Sequence, residues 1–421
     1  MSKRRFSQIA ETLIPSEIVK LGGIIREKIK NGEQIFNYTI GDFDSSLFPI
    51  PKILEEEIIK AYQKGFTTYP PADGDAELRT AVADFIKTYQ GISYESDEIL
   101  IAAGGRPLIY TVYRTIVDDG DKVIYPVPSW NNNHYAHFTG GKHICLEASA
   151  ENNFMPTAEQ IAPHLEGASL LALCSPLNPT GTVFDKDELK RICDLVVAEN
   201  DKRPEGSKKL YLMYDQIYWT LTFGETKHYD PVSLHPGMKE YTVFIDGISK
   251  SFAATGVRVG WSMGPADIIA KMKGLNSHIG AWAPLAEQKA VATFLKQPAA
   301  VQNYLTGFKK EVESRLNSIY RGFCDLKSAG FNVDAIQPQA AIYLTIKIDL
   351  RGKLTAKGDL LATQEDVTNY ILDEARLAIV PFHSFGAGDN SSWYRLSVGC
   401  CRKEDIPVMM EKLRKALEKL N

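Results

Sequence analysis

Lys250 stands in the stretch DGISKSFAATGVRVGW, Asp246 to Trp261, just past an apolar run, YTVFI, that reads as a buried strand. Small residues after the run let a tight turn form. Arg258 follows a short loop later, flanked by Gly256 and Gly260. A lysine in such a place can be partly desolvated, which lowers its pKa and makes its amine a usable nucleophile. An arginine nearby can hold a phosphate with several donors at once. The pair suits a lysine that forms a Schiff base with a phosphorylated aldehyde cofactor. A solvated lysine and arginine beside a turn would have the same letters, so other residues must decide.

Asp215 ends the apolar run KKLYLMYD, with Tyr218 three residues on. A buried aspartate there could pair with a protonated ring nitrogen and make the ring an electron sink; a helix N-cap is the plainer reading. Asn178, in SPLNPTG, also follows a strand pattern, and its amide could donate to a ring phenolate. Gly104-Gly105-Arg106 lies where a strand pattern gives way to a helical one. Backbone N–H groups at a helix start bind phosphate, and Gly105 leaves room for its approach. Trp130, in PVPSW, could stack on a flat ring. Arg395 sits within the apolar run WYRLSV, where a guanidinium needs a buried anion. Each has a bland alternative in a turn, a core or an internal ion pair. One cofactor explains all of them.

The elements that must position these residues alternate. Strand patterns EILIAAGG, DKVIYPVPSW, GKHICLEA, SLLALC, KKLYLMYD and TVFIDG are interleaved with helical patterns such as PLIYTVYRTIV and DKDELKRICDLVVAEN. The alternation predicts an α/β fold, a three-layer large domain with a mostly parallel sheet, whose ligands bind beyond the carboxyl ends of the strands. After Pro284 the pattern turns helical, through a long run from Ala299 to about Ser328. FNVDAIQ, AAIYLTIKIDL, LAIVPFH and WYRLSVGC then alternate with helices near Gln364–Glu374 and at the C-terminus. This reads as a smaller α+β domain. The expected division is 46–305 for the large domain, with 1–45 and 306–421 in the small one. The helical pattern of residues 7–31 is expected to break at Pro15 and at Gly22-Gly23.

Length and composition, 421 residues with 44% hydrophobic and 24% charged, suit a globular protein with a large core. A net charge of -4 gives no electrostatic case for nucleic acid. The six cysteines suit neither a zinc site nor a disulfide framework, and scattered thiols fit a reducing compartment. The N-terminus lacks an apolar signal core, and no apolar run reaches the ~18–20 residues of a membrane span. The expectation is a cytoplasmic protein. His134 and His137 lack a third ligand at metal spacing, so no metal is expected.

As a set, NYTIGDFD, YPPADGDAELR, AAGGRPLIY, PVPSW, SPLNPTG, YDQIYW, GISKSFAATGVRVGW and YRLSVG make the chain resemble, from about Pro15 to its end, the fold-type I, class I/II pyridoxal-phosphate-dependent aminotransferases, similar to the aspartate and aromatic enzymes. The resemblance implies pyridoxal 5'-phosphate as cofactor and transfer of an amino group from an L-amino acid, aspartate or a related one, to a 2-oxo acid in ping-pong fashion. It makes Lys250 the Schiff-base lysine and the proton carrier. Asp215 would keep the pyridine nitrogen protonated, with Tyr218 and Asn178 on the phenolate and Trp130 stacked on the ring. Gly105, Arg106, Ser249 and Arg258 would hold the phosphate, as would Tyr69 reaching into a partner subunit of a homodimer. Arg395 would clamp the substrate α-carboxylate, with the backbone of Gly41 nearby.

Arg106 stands where the family often has lysine, which raises the idea that it also faces an acidic substrate side chain. Phe382-His383-Ser384 and Pro338-Gln339-Ala340-Ala341 also depart from the family, and both are expected to line the small-domain side of the pocket; His383 is a candidate pocket residue. A β-carbon–sulfur lyase or amino-acid decarboxylase on the same scaffold would show the same cofactor residues. A non-catalytic regulator would need a DNA-binding module for which neither end has spare basic sequence.

Overall fold

The computed structural model describes residues 6–14 and 17–420; Pro15 and the first five residues lie outside them. Seven strands make the main sheet: β1 Ile99–Ala102, β2 Lys122–Val127, β3 Lys142–Glu147, β4 Ala168–Cys174, β5 Tyr211–Asp215, β6 Thr242–Gly247 and β7 Gly260–Met263. Their order is β1-β7-β6-β5-β4-β2-β3. Neighbours from β6 through β3 run parallel. β7 is antiparallel to both β6 and β1, so β1 runs the same way as β6. The carboxyl ends of β1, β2, β4, β5 and β6 therefore share one edge.

The strands are apolar along their length because helices cover both faces. Leu171, Leu173, Leu212 and Tyr214 belong to the core on one face, and Leu170, Ala172, Met213 and Val243 to that on the other. Helix boundaries follow local chemistry. Asp75 accepts from Glu77 N and Leu78 N to cap Ala76–Gln90, and Gly91, at φ 76°, closes it. Asp185 caps Lys186–Lys202 in the same way.

β7 and the helix Ala266–Ile279 go beyond the sequence reading. β7 has only four residues, GWSM, and lies too close to the loop before it for an alternating pattern to register. The helix carries Gly274 in its interior, which weakens the local signal.

A second sheet is antiparallel throughout: β8 Val333–Ala335, β9 Tyr343–Ile348, β10 Val380–Pro381 and β11 Trp393–Ser397, in the order β10-β11-β9-β8. The helix Pro298–Ser328 runs unbroken for 31 residues. Its Val301 and Leu305 belong to the core of the main sheet; Phe308, Val312, Leu316, Ile319 and Phe323 belong to that of the second. Near the N-terminus, Glu17–Lys30 is one helix through Gly22-Gly23, and its Ile25 packs on Leu372 and Ala378. Phe36–Asn37 pairs parallel with Leu377–Ala378, and Ser397 N donates to Tyr38 O at 2.8 Å. The segment from Tyr38 to Asp42 is thereby laid across the carboxyl edge of the main sheet.

Candidate active site

A cavity of about 530 Å³ opens at that edge, under the Tyr38–Asp42 segment. Lys250 reaches it from the short helix Ile248–Ser251, which begins where β6 ends. Its Nζ donates to the Gly41 carbonyl at 2.5 Å. Among the described residues no carboxylate bonds it, and burial pushes its pKa down to about 8; the charge of Asp42 acts against that shift, and Arg395, Arg106 and Arg258 add to it. The amine is therefore far closer to its neutral, nucleophilic form at physiological pH than an ordinary lysine.

Asp215 ends β5 and faces the same cavity. It accepts one hydrogen bond, from Ile217 N at 3.1 Å. Burial pushes its pKa up to about 6, with that bond opposing the rise. It has no cation partner among the described residues, so the site holds a carboxylate that a protonated ring nitrogen would suit. Tyr218, three residues on, is buried, and its hydroxyl lies 2.6 Å from the Tyr343 hydroxyl. Tyr343 in turn crowds Gly41: a Cβ there would fall 2.8 Å from the Tyr343 oxygen. That contact explains why the segment over the cavity carries glycine at this point.

Arg395, on β11, is 2% exposed. Its Nη1 donates to Asn178 Oδ1 at 3.0 Å and its Nη2 to Thr39 O at 2.7 Å, while its Nε, buried, has no partner among the described residues. Aromatic rings surround it, Tyr343 at 4.7 Å and Phe385 at 4.9 Å from the guanidinium carbon. A buried guanidinium without a carboxylate is costly, and a ligand carboxylate would supply what is missing.

Gly105, Arg106, Ser249 and Arg258 also line the cavity. Arg258 has φ 62° and donates to Thr255 O at 2.6 Å and Ala103 O at 2.7 Å. Gly104, beside Gly105, carries a steric demand of its own. Gly104 has φ 85°, and a Cβ on it would come within 2.3 Å of Arg258 Nη2. At Gly105 a Cβ would meet only Ile245, at 3.3 Å. Arg106 lies over the Trp130 ring, 5.5 Å from its centroid. Both line the cavity, with the backbone of the helix Gly105–Ile116 starting beside them.

Lys250, Asp215, Tyr218, Asn178, Gly41, Gly105, Arg106, Trp130, Ser249, Arg258 and Arg395 thus converge on one space. Tyr69 does not. It is 84% exposed and packs edge-on to Trp282. Neither departing segment lines the cavity. Ala340 N and Ala341 N bond Gly181 O and Leu221 O, which turns that segment into a buried brace, and Phe382 packs on Phe154. His383 sits in the turn Phe382–Phe385, outside the lining. His137 lies within 3.3 Å of Thr12 Oγ1 and 3.2 Å of Ile9 O.

The structure adds residues that sequence reasoning did not single out. Asp42 accepts from Thr255 Oγ1 at 2.6 Å and is the carboxylate whose charge favours the Lys250 ammonium. Tyr343 and Arg26 also line the cavity. Asp42 stands in the quoted stretch NYTIGDFD and could have been found there; a lone arginine on an N-terminal helix carries no such signal.

The sequence model described as aminotransferase class I and II matches residues 33–413. The chain belongs to the class I and II aminotransferases. An aspartate aminotransferase from Geobacillus stearothermophilus is 30% identical over 382 residues, covering 90% of this chain and 91% of that protein. The solved aspartate aminotransferase of Rhizobium meliloti superposes with a TM-score of 0.91, covering 99% of this chain and 100% of that one at 24% identity, a likeness of fold. A Thermus thermophilus aspartate aminotransferase mutant gives 0.86 at 26% identity, over 98% and 100% of the two chains. This aminotransferase accordingly has the fold type I architecture, and amino acids and 2-oxo acids are the substrates of its class. The class depends on pyridoxal phosphate. In this aminotransferase no described helix is long and apolar enough to cross a membrane.

Proposed function

We propose that the aminotransferase uses pyridoxal 5'-phosphate held by Lys250 to move an amino group from an L-amino acid to a 2-oxo acid in a ping-pong cycle. The observation that carries the reading is a desolvated lysine amine sharing one cavity with an unpaired carboxylate, Asp215, and an anion-seeking guanidinium, Arg395. When bound, the cofactor supplies an aldehyde to take the amine and a ring to absorb electrons.

The remaining work falls to the chain. Asp215 holds a proton on the ring nitrogen. Tyr218 and Asn178 would hold the ring oxygen, and Trp130 would cover the ring face. Gly105, Arg106, Ser249 and Arg258 supply donors to the phosphate. Arg395 would clamp the substrate carboxylate and so aim the Cα hydrogen at Lys250, whose amine would take and return that proton. Aspartate is the donor favoured by the names of the relatives and by the cavity's surplus of arginines. Arg106, exposed at the cavity wall, would meet a second carboxylate.

We infer a homodimer in the cytoplasm, with Tyr69 serving the phosphate of the neighbouring subunit, since an 84% exposed tyrosine edge-on to Trp282 has no role within its own chain's cavity. We also divide the chain into 46–305 and 1–45 with 306–421. The lyase reading survives at the level of cofactor residues. One experiment separates the two: loaded enzyme is mixed with an amino acid and no acceptor. Transfer releases one equivalent of 2-oxo acid per site and stops, with the visible band bleached. Continued release of pyruvate and ammonia overturns transfer.

A further inference from the structure

Asp246 is a buried acid that the scheme above leaves unused. It is fully enclosed in β6. Asp215 pairs in register with Ile245, and Ile245 lines the cavity. Side chains alternate along a strand, so Asp246 points to the other face of the sheet. There its Oδ2 accepts from Trp219 Nε1 at 2.8 Å and its Oδ1 from Gly247 N at 2.7 Å. The Gln216 amide lies close by and favours its charged form.

These partners belong to the two segments that build opposite sides of the site. Gly247 opens the turn that carries Ser249 and Lys250. Gln216 and Trp219 flank Tyr218, and Trp219 N closes that loop on Gln216 O at 2.8 Å. Gln216 is itself enclosed and held from behind, its Nε2 donating to Gln90 Oε1 at 3.1 Å and its Oε1 lying 3.3 Å from His228 Nε2. The titratable groups around Asp246 are Asp215 on β5 and His228 on the following loop; no cation acts on it among the described residues. Burial pushes its pKa up to about 8, with the Gly247 and Trp219 N–H donors and the nearby Gln216 amide opposing the rise. A folded chain gains nothing from burying an uncompensated acid where an apolar residue would pack, so its cost points to a function.

We propose that Asp246 is a positioning residue that ties the Tyr218 loop to the Lys250 turn from the face of the sheet opposite the cavity. The proposal rests on Lys250 being the reactive amine. Losing the tie lets the amine and the phenol drift relative to each other, and misplacement of about 1 Å can cost about a hundredfold in rate.

The test compares Asp246→Asn, Trp219→Phe and the double variant with the wild type. Asparagine keeps the shape and turns one acceptor into a donor; phenylalanine removes one donor. Each single variant is expected to lower kcat about tenfold or more with KM within about threefold. Each should also displace the pH midpoint of the loaded enzyme's visible band by about half a unit or more. The thermal midpoint of the apoenzyme should stay within about 4 °C, and the double variant should do no worse than the worse single. A band midpoint and kcat within about twofold of wild type in both single variants, or losses that multiply in the double, overturn the proposal. If Asp246→Asn does not fold, Trp219→Phe decides alone. If the wild type binds pyridoxal phosphate without transferring amino groups, the functional reading fails, and the band midpoints still decide on Asp246.

Discussion

Arg395 Nη1 donates to Asn178 Oδ1 at 3.0 Å, a bond between β11 of the second sheet and the loop after β4 of the main one. The residue meant to read the substrate carboxylate and the residue meant to face the cofactor ring are thereby held as one unit. Arg395→Lys cannot reproduce two directed donors. It should raise KM for every amino donor and cut kcat/KM about a hundredfold, with cofactor affinity unchanged. Steady-state kinetics on an acidic and an apolar donor check this; a loss for one donor only would count against an α-carboxylate role.

Lys250→Met should abolish turnover, lowering kcat by about a thousandfold or more. The same change should stabilise the apoenzyme. The lysine pKa falls from 10.5 to about 8, so the unfolded chain binds more protons between those values and stability rises with pH there. The penalty is full below pH 8 and disappears as pH approaches 10.5. Because the side chain keeps some surface open to the cavity, its size is about 2 kcal/mol at pH 7. Thermal melts of both apoproteins from pH 7 to 10 should converge at the alkaline end.

Asp215, with a pKa raised from 3.8 to about 6, must lose its proton before it can pair with a ring cation. In the apoprotein the folded state binds the extra proton, so its burial costs stability as pH rises from about 4 to 6 and the cost stays above that range. The affinity for pyridoxal phosphate should therefore increase as pH rises through 6. Asp215→Asn should flatten that dependence and weaken binding about tenfold or more at pH 7.5. Fluorescence titration of the apoenzyme with the cofactor reads both.

Arg106→Ala should raise KM for aspartate and glutamate about tenfold while leaving an apolar donor nearly unchanged. Equal effects on the two donor classes would assign Arg106 to the phosphate alone.

Tyr69→Phe chains mixed with Lys250→Met chains should yield hybrid dimers more active than either parent, because one of the two shared sites is then intact. Activity equal to the parental average would place Tyr69 outside the neighbour's site.

Most of the site was legible in the letters because its residues sit at strand ends, and a buried parallel strand announces its end by where the apolar run stops. That is why Asp215, Asn178 and Lys250 could be assigned to one edge from the alternation of runs alone. The identity of Lys250 as an unusual amine became readable only once Asp215, Asn178, Arg258 and Arg395 were read beside it. β7 was not, since four residues beside a loop are too few for a period to show.

What only the tertiary structure decided is which groups meet across long stretches of chain. The Gly41 carbonyl on the Lys250 amine, Tyr343 against Tyr218, and Asn178 joined to Arg395 bring together residues 209, 125 and 217 positions apart. It also took residues 338–341 and 382–384 out of the cavity wall. Residue types and local runs encode propensity and burial, which act over a few neighbours. Contacts between sheets depend on how whole surfaces pack, and no local pattern carries that information.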